Sequence, residues 1–167
     1  MEISFESRAT ARLYLRRLVL DDVPAVVAIE SDPRTNQHRP GGAPSPEESA
    51  KTVHEFVRGW GENGVGYWVV EHGGEVVGVV GVRPFVYSGR DCWNLYYRLS
   101  PEAWGKGFAA EAASEAVAVA ATLKPEWPVV ARTRPTNVAS GRVAEKVGLQ
   151  RHSNLDSDGH FVFERGW

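Results

Sequence analysis

The sequence predicts one mixed α/β domain with its elements in the order β-α-α-β-β-β-α-β-α-β-β. Three observations carry that prediction. Two runs rich in valine and aromatics flank Gly73-Gly74 in "GYWVVEHGGEVVGVVGVRPF", the pattern of a tight hairpin. The strand-like "CWNLYYRLS" leads into an alanine-rich helix and then "WPVVARTR", a strand–helix–strand unit in the middle of the fold. No repeat, linker or low-complexity segment divides the 167 residues, a usual length for one domain.

Each element follows from local signals. "ARLYLRRLVLDD" alternates Leu13, Leu15, Arg17 and Val19 against the opposite face and reads as the first strand. Asp21 or Asp22 can cap a helix with Pro24 in its first turn, reaching about Glu30. "SDPRTNQHRPGGAPSPEE" breaks every periodicity and is a long polar loop. It ends at Ser45, an N-cap with Pro46 and Glu48 behind it, which starts a second helix to about Trp60. After the hairpin and the strand "CWNLYYRLS" comes a helix from Phe108 to about Thr122. The strand "WPVVARTR" follows, then a helix "VASGRVAEKV" closed by Gly148. "LQRHSNL" and "HFVFERGW" form a last antiparallel pair.

Composition narrows the function. With 19 basic and 21 acidic side chains the formal net charge is −2, which argues against a nucleic-acid partner. The basic cluster of Arg12, Arg16 and Arg17 reads as the solvated edge of the first strand. One cysteine, Cys92, rules out an internal disulfide and a multi-cysteine metal site. The longest apolar run is far shorter than the ~20 residues that span a bilayer, and the N-terminus has no signal-peptide core. The expectation is a soluble cytoplasmic protein with no membrane partner and no metal.

The segment "YRLSPEAWGKGFAAEAASEA" puts Gly105 and Gly107 between a strand and a helix. Glycines there leave backbone N–H groups free to converge on a phosphate, and a helix behind them adds unpaired N–H groups and positive potential. The plain alternative is a tight turn that packs helix on strand. A nucleotide P-loop is excluded, because Ser100 stands where its first glycine belongs and Gly107 where Ser or Thr must hold Mg²⁺. The dinucleotide fingerprint matches at Gly105, Gly107 and Ala110. However, "SPEAW" intervenes after the strand, and "WPVVARTR" ends in arginine where an acidic residue should hold a ribose.

The same segment resembles the pyrophosphate loop of the GNAT N-acetyltransferases, Gln/Arg-x-x-Gly-x-Gly/Ala. The register falls on Trp104, Gly105, Lys106, Gly107, Phe108 and Ala109. Trp104 departs from the Gln or Arg of that pattern and resembles the branch that acetylates ribosomal-protein N-termini. "ARLYLRRLVLDD" and "RPTNVASGRVAEKVGLQR" are similar to that branch's opening strand and second cofactor segment, in the right order. The ordered set fills most of the chain outside residues 31–65.

The resemblance implies the acyl-CoA N-acyltransferase fold and acetyl-CoA as cosubstrate. The strands "CWNLYYRLS" and "WPVVARTR" would splay to take the pantetheine arm, bonded by the backbone of Tyr97, Arg98 and Leu99. An N–H of the first would meet the thioester oxygen as it turns negative, a donor worth about 3 kcal/mol in other acyl-transfer sites. The N–H groups of Gly105 to Ala109 would cradle the pyrophosphate, with Lys106 adding charge or facing solvent. Asn137 is an N-cap on its own merits; the resemblance adds a bond from its amide to pantetheine. Ser140 becomes the candidate to protonate the departing thiolate or to place a water that does. Relatives with a tyrosine acid carry it seven residues after the Asn, where this chain has Ala144.

The general base and the acceptor stay open. Relatives often carry a glutamate where this chain has Asn94; Glu30, His38, Glu102 and His160 remain candidates, though each reads more readily as a solvated surface group. Freeing an α-amine at pH 7 costs about 1.4 kcal/mol and a lysine about 4.6 kcal/mol, so the missing glutamate favours a low-pKa amine. Cys92, at the start of a half-buried strand, reads as core rather than as an acetyl carrier, which favours direct transfer in a ternary complex. The acceptor is expected over residues 31–45 and the second helix, with Trp60, Trp68 and Trp93 as walls or as core. Residues 1–60 hold nine acidic and eight basic side chains, so no acidic field calls for a polycation. Protein N-termini, small amines and antibiotics remain open, as does the homodimer common among relatives. The rival readings are a non-catalytic CoA-binding sensor and an NAD(P)-binding reductase.

Overall fold

In the structure, a computed structural model that describes residues 4–167, eight strands form one sheet in the order β1-β2-β3-β4-β5-β6-β8-β7. They are β1 (Ser7–Ala9), β2 (Tyr14–Arg17), β3 (Tyr67–His72), β4 (Glu75–Tyr87), β5 (Arg90–Leu99), β6 (Val129–Thr133), β7 (Gln150–Arg151) and β8 (Phe161–Arg165). The helices are α1 (Val23–Glu30), α2 (Pro46–Asn63), α3 (Phe108–Leu123) and α4 (Val138–Lys146). All neighbouring pairs are antiparallel except β5 and β6, which are parallel. The expected order holds, with one strand more at the start. β1 has only three residues and no apolar alternation, so nothing local announces it; its pairing with β2 makes it a strand.

Local chemistry explains the element ends. Ser45 Oγ accepts the Glu48 N–H at 3.1 Å while the Glu48 carboxylate accepts the Ser45 N–H at 3.1 Å, which closes both orphan donors at the start of α2. Gly73 and Gly74 both have positive φ, 59° and 82°, as a two-residue turn between twisted strands requires. Ala112, Ala113, Ala116 and Ala120 of α3 are fully covered, and their small side chains let the helix lie close on β4 and β5.

The sheet separates two apolar layers. Leu13, Leu15, Val80, Trp93 and Leu95 pack beneath α3, and Leu18, Tyr67, Val69 and Val79 pack beneath α1 and α2. Trp60, Trp68 and Trp93 are 2%, 1% and 3% exposed, so they are core and not walls of an acceptor site. Their indole N–H groups donate to main-chain carbonyls, those of Tyr67, Phe5 and Lys124. Cys92 is wholly buried, and burial pushes its thiol up to about 11, so it stays an unreactive thiol.

Two expectations for the first strand need correction. Its alternation stops at Arg17, after which Leu18 is buried and Val19 is exposed. Arg16 and Arg17 are not a solvated edge either, because β2 lies between β1 and β3, whereas Arg12 precedes β2 and is exposed. Arg17 pairs with Glu6 at 2.8 Å, and Arg16 bridges Glu71 of β3 and Asp22 at 2.8 and 2.7 Å. The Asp22 carboxylate takes a two-pronged bond from Arg16 and also accepts the Val19 N–H, tying the strand to the entry of α1. Burial alone would raise the Asp22 carboxyl, but Arg16 and the Val19 N–H outweigh it and hold its pKa below the usual range.

Asp22→Asn is therefore expected to lower stability at pH 7 by about 2 kcal/mol. A depressed carboxyl contributes fully above its unfolded pKa of about 3.9 and loses that contribution as pH falls through the folded value. Urea midpoints of variant and wild type should converge by about pH 2; a constant gap there would mean that shape, not charge, carries the effect.

Candidate active site

β5 pairs with β4 along its whole length, Arg90 to Leu99, but meets β6 only at Trp93↔Val129 and Asn94↔Val130. Beyond that point β6 follows β8 through Thr133↔Phe161, and the two parallel strands separate. A cleft of about 1110 Å³ opens between them, lined by Tyr97, Leu99, Ala131, Thr133 and Ser140 among others. The Trp93 N–H donates to Pro128 on the β6 side, and the Ser100 N–H donates to Val77 on the β4 side. Backbone direction alternates along a strand, so the N–H and C=O of Tyr97 and Leu99 face the cleft. Those of Arg98 belong to the β4 ladder. The expectation that the Arg98 backbone would serve the cleft is thus corrected, and the Leu99 carbonyl already accepts the Trp104 indole N–H at 3.1 Å.

The glycine loop closes the wide end of the cleft. Gly105 and Gly107 have φ of 76° and 79°, in the left-handed region where a Cβ is costly. Gly107 is the N-cap of α3 and offers no side chain to the helix. Among the described residues no protein acceptor takes the N–H groups of residues 105–110, so they are free for an anion beside a sixteen-residue helix. Trp104 and Lys106 are exposed, and Phe108 is buried below. Arg12 holds the loop from outside: its guanidinium donates to the Lys106 carbonyl and to Glu111 of α3, both at 2.7 Å. Nothing in the sequence pairs Arg12 with Glu111, 99 positions away.

Asn137 caps α4, its Oδ1 accepting the Ser140 N–H at 3.1 Å. Ser140 then meets a group that sequence reasoning assigned only a backbone role. The Tyr97 hydroxyl donates to the Ser140 carbonyl at 2.6 Å, and the Ser140 Oγ lies 3.3 Å from the same hydroxyl. Burial pushes the Tyr97 phenol up to about 12, so it stays protonated at neutral pH. The expected tyrosine position on α4 is Ala144, and here a tyrosine from β5 reaches the same helix.

On the other side of the sheet Glu30, Tyr96 and Arg98 form a buried polar knot. Glu30 is 6% exposed, not a surface group. Its carboxylate accepts the Tyr96 hydroxyl at 2.8 Å and faces Arg98 Nε at 3.4 Å. Burial pushes the Glu30 carboxyl above the usual carboxylate range, against the pull of Arg98 and Tyr96. Arg98 also donates to the Thr35 carbonyl and to Asn36 Oδ1 at 2.8 and 3.0 Å, fastening the loop after α1 to β5. Asn94 donates to the Tyr67 hydroxyl at 2.8 Å. Of the other expected candidates, His38 bonds Thr136 at 2.9 Å and His160 lines the cleft, while Glu102 is exposed beside Arg34 at 3.0 Å. Residues 34–39 line the cleft as expected of the long loop, but no residue of α2 does.

Among the described residues no cluster of three or more His, Cys, Asp or Glu could hold a metal ion, and no helix is long and apolar enough to cross a membrane. Residues 12–150 match the sequence profile of the acetyltransferase (GNAT) domain. The chain is 30% identical over 148 residues to the FsC-acetyl coenzyme A-N(2)-transacetylase of Aspergillus fumigatus, a match that covers 84% of this chain. It spans 63% of that curated relative's length. An acetyltransferase from Agrobacterium tumefaciens superposes with a TM-score of 0.83 at 25% identity, covering 99% of this chain and 96% of the other. A ribosomal L7/L12 alpha-N-protein acetyltransferase, RimL, in complex with coenzyme A has a TM-score of 0.68 at 18% identity, over 95% and 96% of the two chains, a likeness of fold.

Glu30→Gln leaves Arg98 buried without its carboxylate, and the expected loss is about 3 kcal/mol in chemical denaturation. Replacing both partners, Glu30→Leu with Arg98→Met, should recover more than half of that loss. A double variant whose loss equals the sum of the Glu30→Leu and Arg98→Met losses measured singly would show that the two groups are not coupled.

Proposed function

The chain belongs to the acetyltransferase (GNAT) family, and from that premise we propose that it is an N-acetyltransferase, moving an acetyl group from acetyl-CoA to a primary amine by direct attack. The observation that carries the reading is the split between β5 and β6, which ends at a loop of unpaired N–H groups. The residues present fit the cosubstrate. An extended arm bearing amides can pair with the cleft-facing backbone of Tyr97 and Leu99, and a pyrophosphate suits the N–H groups of Gly105 to Ala109. A Cβ at Gly105 would have no heavy atom within 4 Å, so the space over the loop is open. Asn137, already spent as a cap through Oδ1, keeps its amide N–H₂ for the arm.

Bound acetyl-CoA supplies an activated acetyl thioester, and the chain supplies position and hydrogen bonds. The Tyr97 N–H, the first on β5 past its last pair with β6, is the donor best placed to stabilise negative charge on a carbonyl oxygen in the cleft. The Tyr97 and Ser140 hydroxyls form a pair that keeps its protons at neutral pH and can protonate a leaving sulfur. Asn94 is engaged by Tyr67, and the Glu30 carboxylate by Tyr96 and Arg98. Among the described residues the one acid lining the cleft is Glu145, on α4, which suits an α-amine that loses its proton to water more than a lysine. Cys92, buried and protonated, supports direct transfer over an acetyl-cysteine.

Two measurements test this. Calorimetric titration should give micromolar binding of acetyl-CoA and CoA and none of NADPH, with Gly107→Val binding at least about tenfold more weakly because a β-branched residue is strained at that φ. NADPH binding alone would refute the cofactor. Tyr97→Phe should lower kcat by about 10²-fold on any amine accepted, with acetyl-CoA affinity within about threefold of wild type. An unchanged kcat would remove Tyr97 as the acid.

A further inference from the structure

We propose that the acceptor amine carries a carboxylate of its own, and that Arg132 and Arg134 of the β6 arm hold it. The inference rests on the acetyltransferase reading above and narrows it to a substrate class. It starts from an imbalance: the chain has a formal net charge of −2, yet the cleft is lined by cations from the loop after α1, β5, β6 and α4, with Glu145 its one acid among the described residues.

Position divides those cations. Val129 and Ala131 of β6 pack into the layer beneath α3, whereas Val130 packs with Cys92 and Tyr87 on the opposite layer. By alternation Arg132 points to that opposite layer, away from α3, α4 and the glycine loop.

The two arginines are held but not neutralised. Among the described residues Arg132 makes no ion pair and no hydrogen bond, and its guanidinium rests on the Phe85 and Tyr87 rings at 4.8 and 5.9 Å. Arg134 donates only to the carbonyls of Asp158 and Gly159, at 3.4 and 3.5 Å. Both charges act on His160, which lines the same cleft and whose Nδ1 is buried without a partner among the described residues. Burial first, then the charges of Arg134 and Arg132, lower the His160 pKa, so it adds a neutral polar group rather than a third cation. Asp158 is close to His160, but it forms no ion pair with either arginine. Arg132 and Arg134 both line the cleft with His160, although Arg132 also borders a second pocket with Asp156 and Asp158; two guanidiniums without an ion pair suit a planar carboxylate. A polycationic amine would meet repulsion there.

The test uses matched acceptors that differ only in that charge: L-serine against L-serinamide, and the peptide amides Ser-Asp-Gly against Ser-Asn-Gly. Rates of CoA release are referred to the unprotonated amine. In at least one pair the anionic member should have a kcat/KM higher by about tenfold or more; which pair responds tells a free amino acid from an acidic N-terminus. In Arg132→Gln/Arg134→Gln the ratio should fall to within about twofold, while Arg142→Gln, a cation of the opposite wall, should leave it intact. Equal rates in wild type, a ratio that survives the double variant, or one that collapses equally in Arg142→Gln would overturn the proposal. If acetyl-CoA binds but no amine is acetylated, the transferase reading fails. The carboxylate site is then judged by titrating the same four probes into CoA-saturated protein, where equal affinities would overturn it.

Discussion

The site depends on β6 leaving β5 after two residue pairs. Parallel strands that stayed together would consume each other's N–H and C=O groups and close the sheet. Here each strand keeps one full partner, β5 with β4 and β6 with β8, so the sheet survives while the seam between them opens. Among the described residues the opening leaves backbone groups of β5 such as the Tyr97 N–H without a protein partner, which is costly in a dry interior and useful beside a ligand. Tyr97 spans the seam with its ring and reaches the start of α4, so the residue whose backbone faces the cleft also fixes the helix that forms the far wall.

The other layer of the sheet is organised by charge burial. Arg98 leaves the β4 ladder undisturbed with its backbone and uses its side chain to gather Glu30, Tyr96, Thr35 and Asn36. The segment after α1 has little regular structure, yet it is pinned to β5 at these points and contributes a rim of the cleft. A buried pair of this kind adds little net stability compared with apolar packing, because desolvation offsets the attraction. Its value here is geometric: it sets where residues 34–39 stand relative to the split.

Much of the framework was legible in the chain, for identifiable reasons. Ser45 with Glu48, Gly73-Gly74, Asn137 and the Gly105/Gly107 pair act within a few residues, so their signals survive in sequence. The splayed strands and the loop came from a family resemblance, which also placed Ser140 beside the cleft. What failed was non-local. β1 is a strand only because β2 lies next to it. Arg12 braces the glycine loop through Glu111, and Glu30 is buried because Arg98 and Tyr96 wait across the sheet. The three tryptophans could have been walls or core, and only packing distinguishes the two.

By itself the sequence determined the order of elements, the turns and caps between them, and the presence of a Gly-x-Gly loop ahead of α3. Those features rest on φ preferences and on hydrogen bonds spanning a few residues, which composition and spacing express directly. The tertiary structure alone decided that Tyr97 rather than Arg98 turns its backbone to the cleft. It also decided that the Tyr97 hydroxyl meets Ser140, and that Arg132 and Arg134 line the cleft with no ion pair among the described residues. Strand register, burial and charge pairing join residues tens of positions apart, and no local pattern records which of many such partners will meet.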